Sequence, residues 1–245
     1  MPNVVGNNPE RLQMRLLIII ALLTITLGQA SVVARADTPT TQAISKDDLQ
    51  KLIEKANQGN ADAQYSLGFM YANGQGVPQN YPVAIEWLSK AADQGNGGAE
   101  YGLGYMYANA QGVSEDDGEA GKWFRKAAEQ GVEAAQYTLG SMYANGQRGV
   151  SKDFDEAVKW LSKAAEQGNR DAQYLLGLQY KSAQGENQDY VQAYAWLSVA
   201  ASQGNTDAAS VRDKLVHKMA DYQITKAKRL SQEYNSYVKK PSPEP

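Results

Sequence analysis

YSLGFMYANGQGV, residues 65–77, begins as an amphipathic helix and carries a glycine, Gly68, in the middle of it. A glycine inside a helix costs about 0.5–1 kcal/mol relative to alanine, so its presence needs a reason. Something very like the stretch returns three times. Leu67-Gly68 recurs as Leu103-Gly104, Leu139-Gly140 and Leu176-Gly177, at intervals of 36, 36 and 37 residues. Trp87 recurs as Trp123, Trp160 and Trp196 at the same three intervals. The extra residue is Arg148, inserted in the loop sequence NGQRGV, and loops accept insertions cheaply. Four copies in one phase define an internal repeat, and a period of this size is the signature of stacked supersecondary units.

Each unit holds two helical patterns. Ala63, Leu67, Gly68 and Tyr71 share one face, at i, i+4, i+5 and i+8. Ala84, Trp87, Leu88, Ala91 and Ala92 follow at i, i+3, i+4, i+7 and i+8, an apolar stripe with the helical period. Between them, NGQGVPQN is rich in turn residues. Asn80, Asp116, Asp153 and Asp189 stand where the second helix needs an N-cap. The dipeptide Gln-Gly ends that helix in every unit, and Gly95, Gly131, Gly168 and Gly204 suit a left-handed terminus. Each unit therefore reads as a helix hairpin with small residues on its facing surfaces, where close approach of two backbones repays Gly68 and its copies. A hairpin cannot bury its apolar face alone, so the units stack into an all-α solenoid of antiparallel helix pairs. Its core is the repeated set Leu67, Gly68, Trp87, Leu103, Gly104, Trp123, Leu139, Gly140, Trp160, Leu176, Gly177 and Trp196, with the tryptophans wedged between neighbouring hairpins.

DAQYSLGFMYANGQGVPQNYPVAIEWLSKAADQGN, residues 62–96, closely resembles the Sel-one-like repeat, a relative of the tetratricopeptide repeat, and the resemblance runs from Asp62 to about Thr206. It implies a right-handed superhelix of paired helices. It also implies a role in holding protein complexes together, often in bacterial envelopes or secretory compartments. Two units depart from the pattern: the second has Ala110 where the loop usually carries glycine, and the fourth has Ser182-Ala183 and loses the G-x-G loop. These changes bear on loop shape rather than on the fold.

The expected organisation is four repeats over 61–206 between caps. DDLQKLIEKANQGN predicts a lone capping helix over 47–60, with Leu52 and Ala56 at the places of Leu88 and Ala92. After Asn205 the sequence starts a fifth first helix but exchanges the Leu-Gly core for charges, and DYQITKAKRLSQEYNSYV predicts a final long helix, giving C-terminal caps over 207–240 and a frayed tail at 241–245. At the other end, Arg11 and Arg15 precede the apolar run Leu16–Gly28, too short for the roughly 20 residues of a bilayer span and matched to a secretory signal core. Cleavage after Ala36, or after Ala30, would leave 37–46 as a flexible lead-in, and Met14 offers an alternative start. The leader (1–36) holds three arginines and one glutamate, so its removal takes the formal charge from −3 to −5. The chain is thus expected to be exported, periplasmic or secreted in a bacterial envelope, with no stable membrane span after cleavage.

Composition narrows the chemistry. The 245 residues are 42% apolar and 21% charged and contain no cysteine and one histidine, His217. Disulfides, thiolate nucleophiles, cysteine zinc sites and lipid-attachment cysteines are excluded, and a mildly acidic chain without a clustered basic face does not predict nucleic-acid binding. Cysteine-rich relatives in the resembled family are linked to penicillin binding or β-lactam hydrolysis, so a β-lactam-binding or cell-wall-active enzyme is an alternative. The Ser-x-x-Lys pattern such chemistry needs occurs at Ser236-Tyr237-Val238-Lys239, at the end of the chain and without its companion motifs. His217 lies among Asp213, Lys214 and Lys218 and reads as a cap residue; Glu115-Asp116-Asp117 reads as a solvated loop and helix cap; Lys226, Lys228, Arg229, Lys239 and Lys240 are mixed with acids, a soluble face. No cofactor, metal or catalytic constellation is expected.

The informative surplus is aromatic: 15 tyrosines against 3 phenylalanines. With Leu67 facing inward, Tyr65 and Phe69 point roughly the opposite way, and the copies are Tyr101 and Tyr105, Tyr137 and Ser141, Tyr174 and Leu178. On the concave side of such a solenoid they would form a ladder for a partner, since tyrosine combines apolar area with a polar tip. Tyr65 and its copies, repeated without change, equally fit packing between units; Phe69, Tyr105, Ser141 and Leu178 vary, which suits partner contacts. The expected function is a non-enzymatic scaffold binding a protein or extended peptide, with an envelope polysaccharide as a further candidate for the same groove.

Overall fold

A computed structural model describes residues 44–183 and 188–238; the leader with most of the lead-in, the tail and residues 184–187 of the fourth unit's loop lie outside the described residues. Within them the chain forms eleven α-helices and no strand. They are α1 (Lys46–Asn57), α2 (Ala61–Asn73), α3 (Tyr81–Ala92), α4 (Gly97–Ala108), α5 (Asp117–Glu129), α6 (Glu133–Asn145), α7 (Phe154–Glu166), α8 (Arg170–Ser182), α9 (Tyr190–Ser202), α10 (Thr206–Val216) and α11 (Asp221–Val238). The pairs α2/α3, α4/α5, α6/α7 and α8/α9 are the four hairpins, and each second helix also packs on the first helix of the next unit.

Local chemistry sets the ends. Asn60, Asn96, Asn169 and Asn205 cap first-type helices by accepting the backbone N–H of the residue three positions on, at 2.6–2.9 Å. Val132 takes that place before α6 and offers no such bond; its methyl occupies the space that a side chain on Gly97 would need. Asn80, Asp116, Asp153 and Asp189 cap α3, α5, α7 and α9 in the same way, as the spacing predicts. Gly95, Gly131, Gly168 and Gly204 have φ between 80° and 100°. In the second unit Ala110 keeps the left-handed turn, φ 54°, at the position filled by Gly74 (68°) and Gly146 (64°); the loop shape survives the substitution, at a cost in strain.

The mid-helix glycines mark the tightest contacts of the hairpins. A Cβ on Gly68 would lie 2.8 Å from Leu88 Cγ; on Gly104, 2.7 Å from Phe124 Cδ1; on Gly140, 2.9 Å from the backbone nitrogen of Leu161; on Gly177, 2.7 Å from Leu197 Cγ. Each glycine thus receives the leucine or phenylalanine of its own second helix, one residue past the tryptophan. Alanines 84, 91, 120, 127, 157, 164, 193 and 200, wholly buried, line the same seams.

Trp87, Trp123 and Trp196 tie their helices to the ones before. Trp87 packs on Ala56 of α1 with Ala63 and Leu67 of α2. Trp123 joins Leu88 and Ala91 of α3 with Leu103 of α4. Trp196 joins Leu161 and Ala164 of α7 with Leu176 of α8. Trp160 and Trp196 are buried, whereas Trp87 and Trp123 keep one side at the surface. Arg148 is no idle insertion: with φ 54° it donates from Nη1 to the Ala108 carbonyl and to Asp117 Oδ1, both at 2.9 Å, clamping the loop of the third unit to the second.

Candidate functional site

The first helices present two aromatic positions per unit, and the structure treats them differently. Tyr65 leans over the next unit, where a Cβ on Gly98 would lie 3.1 Å from its Cζ. Tyr101 is 6% exposed, packed against Phe124 at a ring separation of 5.5 Å. Tyr137 is half-buried against the α7–α8 cluster, and burial, aided by Asp171 and Tyr101, pushes its hydroxyl up to about 12. Tyr174 packs on the cluster formed by α9, α10 and α11. The recurring tyrosine therefore joins units together, and Tyr101 belongs to the interior rather than to a groove lining. Four residues further on, Phe69, Tyr105, Ser141 and Leu178 are all half-buried. Asparagines 73, 109 and 145 each donate Nδ2 to the carbonyl of this second position, at 2.8–3.0 Å, which holds the end of α2, α4 and α6 fixed beside it.

The second helices carry a different row. Lys90 sits 4.3 Å from the centre of the Trp87 ring, Lys126 4.2 Å from Trp123 and Lys163 4.7 Å from Trp160, each three residues past its tryptophan. Trp196 has Val199 at that place, and Tyr234 of α11 stacks on it instead, at 4.2 Å and 24°. The Tyr234 hydroxyl donates to Gln192 Oε1 at 2.7 Å, and burial pushes it up to about 12. The long last helix is thereby pinned across α9, with Val238 reaching the α7–α8 cluster.

Family comparison bears directly on these units. A Sel1 repeat model matches residues 61–96, 98–132, 133–169 and 170–205. The chain belongs to the Sel1 repeat family. Among solved structures, a protective antigen present in uropathogenic Escherichia coli strains and displaying this repeat fold is 39% identical, with a TM-score of 0.68. A Sel1 repeat protein from Oxalobacter formigenes is also 39% identical, with a TM-score of 0.63. The matches cover 78% and 69% of this chain, which spans only 41% and 48% of those two proteins. No match was found among curated proteins.

In this Sel1 repeat chain the units are also joined by a polar ladder that the hydrophobic period does not announce. Gln64, Gln136 and Gln173, all buried, donate Nε2 to the carbonyls of Ala56, Ala128 and Ala165 at 3.0–3.1 Å. Each accepts at Oε1 from the glutamine that ends its own unit: Gln94 at 2.6 Å, Gln167 at 2.7 Å and Gln203 at 2.9 Å. In the second unit the buried residue is Glu100, which accepts from Gln130 Nε2 at 2.7 Å. The signal was present in the sequence, as an amide kept at one phase beside Ala63, Ala135 and Ala172 and answered by the glutamine of every Gln-Gly terminus. After Ala208 the same phase holds Ala209, and the ladder ends.

The remaining sequence candidates resolve into structure. Ser236 is exposed near the end of α11, its hydroxyl donating to the Glu233 carbonyl, and Lys239 lies outside the described residues. His217 is exposed at the C-cap of α10. Asp116 caps α5 and Asp117 holds Arg148. Among the described residues no group of three or more His, Asp or Glu could hold a metal ion, and no helix is long and apolar enough to cross a membrane.

Proposed function

We propose that this chain is an exported, non-enzymatic scaffold that holds a protein or extended peptide along the face of its first helices. It would act by shape and aromatic contact, with no chemistry done on the partner. One observation carries the reading: the first helices divide their aromatic positions between two duties. The Leu-Gly pair and the tyrosine before it are used up by packing and are the same in every unit. Phe69, Tyr105, Ser141 and Leu178 stay half-buried and differ from unit to unit, as a surface fitted to one particular partner would. Charge supports the same side. The ion pairs of α3, α5 and α7 link Lys90 to Glu86, Lys122 to Glu119 and Lys159 to Glu156 on the second helices, while the variable row of the first helices is uncharged. An uncharged or apolar segment is the matching occupant. Export rests on Arg11, Arg15 and the apolar run that follows them.

The test is capture from an extract of the native envelope. Replacing Phe69 and Tyr105 together with alanine should cut partner yield at least tenfold, since two truncated hot-spot aromatics cost about 1–2 kcal/mol each in binding. The melting temperature should fall by only a few degrees, because both rings are half-buried and neither belongs to a core cluster. Equal recovery of the same proteins by the double variant would reject this face as the working surface.

A further inference from the structure

Three of the four polar joints are closed by an amide, and the second is closed by a carboxyl. Glu100 is 4% exposed and occupies the phase of Gln64, Gln136 and Gln173. Those amides use both ends: the oxygen accepts a hydrogen bond from the terminal glutamine, and the nitrogen donates one to an alanine carbonyl eight residues earlier. Each such carbonyl also accepts the N–H of the following glycine, as Ala92 does from Gly95 at 2.9 Å. An ionised carboxylate accepts only, so Glu100 can receive from Gln130 and has nothing to give Ala92. With a proton on one oxygen it has the same equipment as the amide it replaces.

The helix that carries it is also the one with least intrinsic stability. The segment α4 contains Gly97, Gly98, Gly102 and Gly104, and each interior glycine weakens a helix relative to alanine.

We propose that Glu100 is a proton-operated latch on the joint between the first and second units: protonated, it donates to the Ala92 carbonyl and closes the joint; ionised, it leaves that bond unmade and lets α4 part from the end of α3. The surroundings shift the balance toward the protonated form relative to a free glutamate. Burial raises the carboxyl above the ordinary glutamate value; Lys126 and the Gln130 hydrogen bond pull the other way, and Glu129 adds to the rise. These charges lie on α5. On α3, Lys90 is held by Glu86 and the Trp87 ring and Asp93 is exposed; on α2, Asp62 accepts from Asn96. Because the folded carboxyl holds its proton to higher pH than the unfolded one, the joint is firmest at and below the ordinary glutamate range. It loosens as pH rises from there through the raised value, and then levels off. Phe69 and Tyr105 stand on either side of this joint, so its state sets their spacing.

The experiment needs no partner. Amide hydrogen exchange of the isolated chain is compared at about pH 4 and about pH 8 after correction for intrinsic exchange rates, each tenfold loss of protection corresponding to about 1.4 kcal/mol of opening. In the wild type, protection of α4 should fall several-fold at the higher pH relative to α6 and α8. Glu100→Gln should keep α4 equally protected at both, and Gln136→Glu should create the same response in α6. No differential loss in the wild type, an E100Q variant that behaves like the wild type, or a silent Q136E would each overturn the latch. Loss of partner capture in the double alanine variant tests a different face and leaves this result standing.

Discussion

Gly140 and Gly121 make a matched pair for testing why glycine sits inside these helices. Both are interior to helices, and alanine would gain each of them about 0.5–1 kcal/mol in helix propensity. Their surroundings differ. A Cβ on Gly121 would find its nearest neighbour, Met142 Cε, at 3.7 Å, an ordinary contact with the mobile end of a flexible side chain. A Cβ on Gly140 would sit 2.8 Å from Leu161 Cγ and 2.9 Å from the Leu161 backbone nitrogen. A side chain can rotate aside, but the backbone of α7 can yield only if the hairpin opens by several tenths of an ångström along a seam of buried alanines. Overpacking of that kind costs about 1–3 kcal/mol, and contact with backbone places it in the upper part of that range. The expected outcome is that Gly121→Ala stabilises by about 0.5–1 kcal/mol while Gly140→Ala destabilises by about 1–2 kcal/mol net. Urea unfolding followed by far-UV circular dichroism reads both, and comparing midpoints at matched slopes guards against a loss of cooperativity in a repeat array. If Gly140→Ala proves as stable as Gly121→Ala, close approach is not the reason for the glycine and the packing account of the hairpins fails.

Ala110→Gly should raise stability by about 1 kcal/mol, since the position holds φ 54° and left-handed backbone costs a residue with a Cβ about 1–2 kcal/mol; an unchanged midpoint in the same urea assay would count against strain there. Truncating the buried Trp160 to alanine should cost about 3–5 kcal/mol, and the same change at half-buried Trp87 distinctly less; thermal melts of the two variants that ranked them in reverse would contradict the wedge described for these rings.

The hairpins, their caps and the glycine contacts were legible because each rests on a spacing that recurs four times: one leucine-glycine pair, one tryptophan and one capping residue per unit. The aromatic row was only half legible. Angular position on an ideal helix separates Tyr65 from Leu67, but a first helix in a solenoid has a neighbouring unit on its flank as well as a partner behind it. The direction away from Leu67 therefore leads Tyr101 into Phe124 rather than into solvent. The polar ladder was not legible because hydrophobic periodicity counts a glutamine as surface, whereas Gln173 is wholly buried and satisfied at both ends. Arg148 looked like a tolerated insertion because its two acceptors, Ala108 and Asp117, lie 40 and 31 residues away in sequence.

Val199 carries a consequence for how long such a rod can be. Where three units lay a lysine over their own indole and leave it facing water, the fourth offers a bare aliphatic patch that only a neighbour's aromatic ring can cover, and Tyr234 supplies that ring. The change at 199 and the end of the ladder at Ala209 together mark the fourth hairpin as the last full unit. Grafting a fifth hairpin onto this chain would thus require restoring lysine at 199 and glutamine at 209 together, for otherwise the last helix would compete with the newcomer for the same berth.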